Sequence, residues 1–376
     1  MKKLEYTVSF TTPAFLGNAE QSGQWRTPPF KALLRQWWRV VHAPKVGYDV
    51  SRLRGDEGAL FGTAADAGDS RRSLVRFRLS AWELGKLDQW ERDDRLPHCE
   101  VTNRQGEVMQ IGAQLYLGYG PLTFGDTGRR NQQGRPTKDT VLNQDPKRSA
   151  IAESMSQTLT IMVPDMYYQD IIGSVRLTAW FGTLGSRSRN GWGALQIVAR
   201  KGTPPIPELT TDRLDGVLRP LNDCLDEHIG CDWPHAIGSV DNRPLVWTTQ
   251  PRASWREAMK ELARVKIAFR TQKALSLDGV PNGKFAKRHL LAYPITNHPV
   301  DGSAWGSKGR LANQIRFKVS KQGDQWYGVI AHLPCRLPAE MVAELPPQQR
   351  NNISATARDT WQAVHAVLER NAQRIR

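Results

Sequence analysis

The sequence predicts an α+β protein in two domains, the first in the split β-α-β order of ferredoxin-like folds. Three observations carry this. The chain has 376 residues, whereas a single core stops growing at about 250–300 residues. A stiff run, Gly202–Pro207 (GTPPIP), supplies a boundary and divides the chain into residues 1–202 and 208–376. Across the first part, apolar periods of two and of about 3.6 residues alternate in the order strand, helix, strand, insertion, strand, helix, strand.

Leu4, Tyr6, Val8 and Phe10 alternate with polar neighbours and predict the first strand. Gln24–His42 (QWRTPPFKALLRQWWRVVH) predicts a capped helix. Thr27 can cap it, and Pro28 suits its first turn because the missing N–H has no partner there. Phe30, Leu33, Leu34, Trp37 and Val41 recur at helical spacing and face a core, while Lys31, Arg35, Trp38, Arg39 and His42 fall on the other side. Pro44 stops the helix. Gly55–Gly62 (GDEGALFG) predicts a short helical turn, and Ser73–Leu79 a second strand with Arg76 and Arg78 on its polar face.

Val101–Ala150 reads as an insertion, with a strand pair within Met109–Tyr119. Gly125–Ser149 then carries Arg129, Arg130, Arg135, Lys138, Lys147 and Arg148 without apolar periodicity, which predicts a mobile basic loop. A plain solvated loop fits the same pattern. Thr158–Val163 is an apolar strand, and Asp165–Gly182 an amphipathic helix that Asp165 can cap. A glycine-rich run, Gly185–Leu195 (GSRSRNGWGAL), leads into a last strand, Ala194–Ala199.

The second part opens with a weak helix over Asp212–Glu227. Ala253–Leu275 predicts a strong one, with Trp255, Met259, Leu262 and Phe269 on one face. Arg256, Lys260, Arg264, Lys266, Arg270 and Lys273 make that helix strongly basic. His289–Ile295, Ile315–Val319 and Trp326–Leu333 predict strands, the last two joined as a hairpin through Lys321–Asp324. A helix over Ile353–Ile375 ends the chain. The pattern is a second α+β domain of related type, with no internal repeat visible residue by residue.

Lys and Arg number 52 against 37 Asp and Glu, a net charge of +15. A protein this basic usually meets a polyanion or an acidic surface. The four cysteines, Cys99, Cys224, Cys231 and Cys335, lack C-x-x-C spacing, which speaks against a zinc site and a disulfide framework and for a reduced, cytosolic setting. The opening MKKLEYTVSFTT lacks the apolar block of a signal peptide, and no run approaches the ~20 apolar residues of a membrane span. No metal, cofactor or membrane partner is expected.

No phosphate-binding P-loop, dinucleotide fingerprint, H-E-x-x-H or G-x-S-x-G motif is present. Arg189–Ile197 faintly resembles the RNA-contact strand of RRM domains, but its glycines place most of it in a loop. His42 is the one histidine beside the basic face, and an RNA-cleaving general base needs a group near pKa ~7. A histidine at a helix end more often answers the helix dipole. Asp56–Glu57 is a weak Mg²⁺ signal; Glu57, four residues before Phe61, reads more as a helix-to-turn fixture, with anchoring of an arginine of the basic face as a secondary role. What remains is cationic and aromatic surface. Arg26, Lys31, Arg35, Trp38 and Arg39 join cations to an indole, as a phosphate backbone with a stacked base requires, although Trp38 equally suits packing between domains. Arg187, Arg189 and Trp192 sit on the glycine-rich run, whose backbone N–H groups are expected to meet phosphate oxygens.

These stretches also carry a family resemblance. Thr12, Pro13, Phe15, Gly17, Arg26, Pro28, Lys31, Leu34, Arg35, Trp37, Trp38 and Arg39 fall in register with the N-terminal signature of one family of subunits within the RAMP superfamily, which they resemble. The pattern resembles that of Cmr subunit one of type III-B CRISPR effector complexes. Glu57, Leu60, Phe61 and Gly62 resemble its E-x-x-L-F-G element, and GSRSRNGWGAL resembles the glycine-rich loop of the superfamily. Two departures stand out: Ala32 replaces the usual glycine, and Pro29-Phe30 the usual Ser-Ile. The resemblance implies two ferredoxin-like (RRM-like) domains in tandem. It implies assembly with other RAMP subunits of an antiviral CRISPR ribonucleoprotein at the end holding the guide (crRNA) 3′ part, and contact with guide or target RNA. It implies no nuclease role; Asp126 and Asp139 lie in the insertion, but nothing marks either as catalytic. Two alternatives stand beside it: a metal-independent endoribonuclease processing guide RNA through His42, and a purely structural end-cap.

Overall fold

The computed structural model describes residues 1–63, 70–143, 149–153 and 155–375. The chain starts with β1 (Lys2–Phe10), then α1 (Thr27–His42), α2 (Val50–Phe61) and β2 (Arg76–Leu79). Thr27 begins α1 rather than capping it: Arg26 is the N-cap residue, and the Thr27 hydroxyl accepts a hydrogen bond from the Trp82 indole at 3.1 Å. The buried stripe of α1 is wider than its spacing suggests, taking in Trp38 and Val40 as well as Phe30, Leu33, Leu34 and Trp37. Val41 is only partly covered and packs over Gly173. The expected turn at 55–62 is the end of a full helix, capped by Asp49, whose side chain accepts from the Arg52 amide at 2.9 Å.

Between β2 and the rest of the first sheet lie β3 (Arg95–Thr102), β4 (Val108–Gly112), α3 (Ala113–Gly118), β5 (Leu122–Arg130) and β6 (Pro136–Leu142). The expected mobile loop is therefore ordered up to residue 142, with Leu122 facing Leu142 and Asp126 facing Lys138 across the β5–β6 hairpin. Asn131 closes its turn, accepting from the Gln133 and Arg135 amides through its side chain. Lys147 and Arg148 lie outside the described residues. The strand pair expected at 109–119 is instead the end of β4 followed by α3.

β7 (Ser156–Val163), α4 (Tyr168–Phe181) and β8 (Leu195–Ala199) complete the first sheet, in the order β2-β7-β1-β8 with every pairing antiparallel. α1 and α4 pack together beside it. Asp165 does not cap α4; its carboxylate takes the N-terminal ammonium at 3.2 Å.

The second part holds β9 (Leu218–Pro220), α5 (Leu221–Leu225), β10 (Ile237–Val240), β11 (Arg243–Pro244), β12 (Val246–Thr248) and α6 (Trp255–Arg270). β13 (Ile315–Gln322), β14 (Gln325–His332), α7 (Ala339–Ala343), α8 (Pro347–Asn351), α9 (Ile353–Asn371) and β15 (Gln373–Arg374) follow. Its main sheet runs β13-β14-β12-β15, again antiparallel throughout. Taken in chain order, both four-stranded sheets follow one permutation: second strand, third, first, fourth. The helix expected over 212–227 is broken into a 3-10 turn, β9 and α5, with Pro220 at the junction. The strand expected at 289–295 is a 3-10 turn, Lys287–Leu290, and irregular chain, because Arg288, His289 and Leu290 are buried consecutively and not alternately.

The core does not stop at residue 202. One apolar cluster joins Phe15, Trp90 and Trp192 to Trp255, Met259 and Leu262 of α6. The other joins the β1–α1–α4 core to Val246, Val329 and Leu333 of the second sheet. Among the described residues no helix is long and apolar enough to cross a membrane, and all four cysteines are free.

Candidate nucleic-acid interface

The cations on the basic face of α1 each have a partner within the protein, although only one of those partners is an acid. Glu57 of α2 is buried and takes both arginines: Arg35 Nε pairs with Oε1, and Arg39 donates through Nε and Nη2 at 2.6 Å each. Lys31 Nζ donates to the Phe61 carbonyl at 2.9 Å, and partial burial beside Arg35 holds its pKa below the usual lysine range. Arg26 donates to the Gly17 carbonyl at 2.6 Å. The family-like motifs of α1 and GDEGALFG thus meet through one buried carboxylate.

Trp38 is a correction to the expectation. It is fully buried, stacked on the His42 ring at 4.4 Å with Phe61 edge-on, so no base reaches it. His42 itself is clamped, Nδ1 at 3.0 Å from Asp170 and Nε2 at 2.9 Å from Asp56. Among the described residues no group of three or more His, Cys, Asp or Glu is placed to hold a metal ion.

The glycine-rich segment also differs from expectation. Gly193 has φ +61°, and a Cβ there would lie 1.9 Å from the Leu184 carbonyl oxygen; Gly185 has φ +96° against the Phe15 carbonyl. These glycines serve close backbone packing. The amides of Ser186, Asn190, Gly191 and Gly193 are engaged by the Phe15, Arg187, Ser188 and Pro13 carbonyls, and so are not open to phosphate. Trp192 is fully buried between Phe15, Trp90 and Trp255, with ring centroids 5.1 to 5.9 Å away. It is a core residue, because the tight turn at Gly191–Gly193 drives its indole inward. Arg187 and Arg189, by contrast, are exposed.

Those two arginines open onto a cleft of about 840 Å³ between the glycine-rich segment, α3, α6, the 288–296 and 310–313 chain and β13. Arg187, Arg189, Lys266, Arg270, Arg288, Arg310 and Arg316 line it, and among the described residues no Asp or Glu does. From α1 only Gln36 reaches it. Asn190 ties the walls together: Nδ2 donates to the Leu117 carbonyl at 2.9 Å, which aims Oδ1 at Lys266 Nζ, 2.8 Å away. Arg270 donates to the Tyr116 hydroxyl at 3.1 Å. Arg288 is held by an acid from outside the cleft, Glu100, at 2.7 Å.

Burial among like charges loosens the proton on two of these cations, Lys266 and Arg316. Burial, then Arg270 and Arg187, lower the Lys266 pKa to about 7. Burial and Arg189 lower that of Arg316, under the Trp37 ring, to about 9. An empty cleft of this kind is electrostatically costly, and an anion with several negative centres relieves it.

The sequence singled out Arg187 and Arg189 as RNA contacts and marked the helix of Lys266 and Arg270 only as strongly basic; it offered none of Lys266, Arg270, Arg288, Arg310 or Arg316 as a site residue. Arg316 alternates with apolar neighbours in β13 and reads as a solvent-facing strand residue; only the packing of the two parts buries it.

In class, the chain is similar to subunits of CRISPR effector complexes. In particular, it is similar to apo Cmr1 from Pyrococcus furiosus, at 16% identity over 90% of both chains with a TM-score of 0.45. It is also similar to a chain of type III-B Cmr-beta bound to cognate target RNA, at 11% identity over 97% of this chain and 100% of that one, TM-score 0.42. A chain of a type IV-B CRISPR complex matches at 13% identity over 56% of this chain and 96% of its own, TM-score 0.31. No family model and no curated protein sequence matches the chain.

Proposed function

We propose that this chain is a non-catalytic RNA-binding subunit of a type III CRISPR ribonucleoprotein. It contacts guide or target RNA and helps to assemble the guide 3′ end beside other RAMP subunits. We read its two equivalent sheets, each in β-α-β-β-α-β order, as ferredoxin-like domains in tandem. The three sequence motifs support the family, and Glu57 gives two of them a shared structural reason. The observation that carries the reading is the cleft: among the described residues seven cationic side chains line it and no carboxylate does. Guanidinium forks match phosphate oxygens, and lysine adds a point charge. Binding of this kind is backbone-directed and weakly sequence-specific.

The test is fluorescence anisotropy of a labelled single-stranded repeat RNA on the full chain across a salt series. If Arg187, Lys266 and Arg270 each neutralise a phosphate, log K falls against log salt with a slope of about −2. Reversing charge at Lys266 and Arg270 (both to Glu) should abolish binding at moderate salt. A flat slope, or a double variant that binds like the parent, would sink the reading. The non-catalytic part is checked separately by incubating the protein with repeat RNA: a discrete product that disappears in His42→Ala would overturn it. The clamping of His42 by two carboxylates, on elements that do not line the cleft, favours no product.

A further inference from the structure

With both tryptophans of the predicted site in the core, the cleft keeps one exposed aromatic ring. Of its three tyrosines, Tyr293 is 5% exposed and Tyr116 is partly buried under Arg270, whereas Tyr119 is 67% exposed. Tyr119 follows the last turn of α3 at the rim. Its backbone is fixed on both sides. Its carbonyl accepts from Arg187 Nε at 2.6 Å, and the next carbonyl, of Gly120, accepts from Asn143 Nδ2 at 3.0 Å. Gly120 has φ +113°, and a Cβ there would meet the Arg187 guanidinium at 3.4 Å. The left-handed φ is what calls for glycine here, since a Cβ would meet Arg187 only at ordinary contact distance. Using Nε on the backbone leaves the guanidinium's two terminal nitrogens to face a ligand.

We infer that Tyr119 is a base-stacking platform paired with Arg187 as its phosphate clamp, so that the cleft selects single-stranded nucleic acid with an unpaired base at the rim. This rests on the RNA-binding reading above and narrows it. An aromatic face takes any base, which gives stacking without sequence choice. One hydrogen bond ties the guanidinium to the Tyr119 backbone, so a base platform and a phosphate clamp sit side by side on the rim. A base paired inside a duplex offers its faces only to its stacked neighbours and cannot use the ring.

The experiment compares three probes on the full chain: a short single-stranded RNA, the same sequence as a blunt duplex, and inorganic polyphosphate. Tyr119→Ala should weaken single-stranded RNA about 5- to 100-fold, the loss of one base–aromatic stack, and leave polyphosphate within about twofold. Tyr119→Phe, which keeps the ring, should stay within about twofold on RNA. The parent should bind the duplex more weakly than the single strand. Equal losses of Tyr119→Ala on RNA and polyphosphate would show a merely structural role and overturn the inference, as would an unchanged affinity or equal binding of duplex. Parent protein that binds RNA in a salt-dependent way but is indifferent to Tyr119→Ala defeats this inference alone. Parent protein that binds neither RNA nor polyphosphate defeats the RNA reading and this one with it.

Discussion

Lys266 shows how a single residue ties the cleft's charge to its occupancy. Its amine faces Arg187 and Arg270, lies over the Tyr116 ring and has Asn190 Oδ1 as its acceptor. In the empty cleft it holds its proton with a pKa of about 7, set by burial and those two arginines. Phosphate beside it favours the charged form and raises that value, so binding takes up a proton. Affinity for single-stranded RNA should therefore fall about tenfold from pH 6 to pH 8. Lys266→Arg, which stays charged throughout, should flatten the profile. Titration calorimetry in buffers of different ionisation enthalpy reads the proton directly; no uptake at pH 7.5 would refute the linkage. The same residue shows what was legible beforehand. Helical spacing placed Lys266 on a basic face, but only the Asn190 contact shows that this face looks into a cleft. Trp38 and Trp192 mark the opposite limit. An indole beside arginines has the same sequence signature whether it stacks on a base or fills a core, and here α2 and the Gly191–Gly193 turn cover both.

At the scale of elements, α1, β1, β7, β8, α6, the β13–β14 hairpin and α9 were legible because one face of each is apolar and the other polar. The β5–β6 hairpin was not. Most of its outer residues are exposed on both sides, so no alternation announces it, and its evidence is the Asn131 turn and cross-strand pairing. The glycine-rich segment was given the wrong physics. Its glycines hold backbone against backbone at residues 13–16 and 184, and thereby aim Arg187 and Arg189 outward. Gly193→Ala should thus combine a left-handed φ with a clash against the Leu184 carbonyl oxygen and cost at least about 3 kcal/mol. Gly202→Ala is the control: φ is +84°, with nothing within 4 Å of the added Cβ, so it should cost only about 1–2 kcal/mol. Urea titration of both variants decides. Equal losses would mean that close approach at Gly193 contributes nothing.

For the whole molecule the decisive fact is that neither apolar cluster respects the 202–207 linker. The linker reads as a boundary because Gly and Pro interrupt both periodicities, and local composition carries no information about what packs across it. Trp192 and Trp255 face each other at 5.9 Å from opposite sides of it, with Met259 and Leu262 in the same cluster. A buried indole hides roughly 200 Å², and at about 25 cal/mol per Å² two of them contribute on the order of 10 kcal/mol. Even half of that is comparable to the net stability of a typical domain, about 5–15 kcal/mol. Neither part can then unfold while the other stays native, because the survivor would expose this seam. The cleft depends on the same seam, since its cations come from α6 and β13 on one side and from the glycine-rich segment on the other. Urea unfolding followed by tryptophan fluorescence and by far-ultraviolet circular dichroism should give one coincident transition, and saturating single-stranded RNA should move it as a unit to higher urea. Two separated transitions, with RNA shifting only one, would show that the parts are independent and that the cleft is carried by one of them alone.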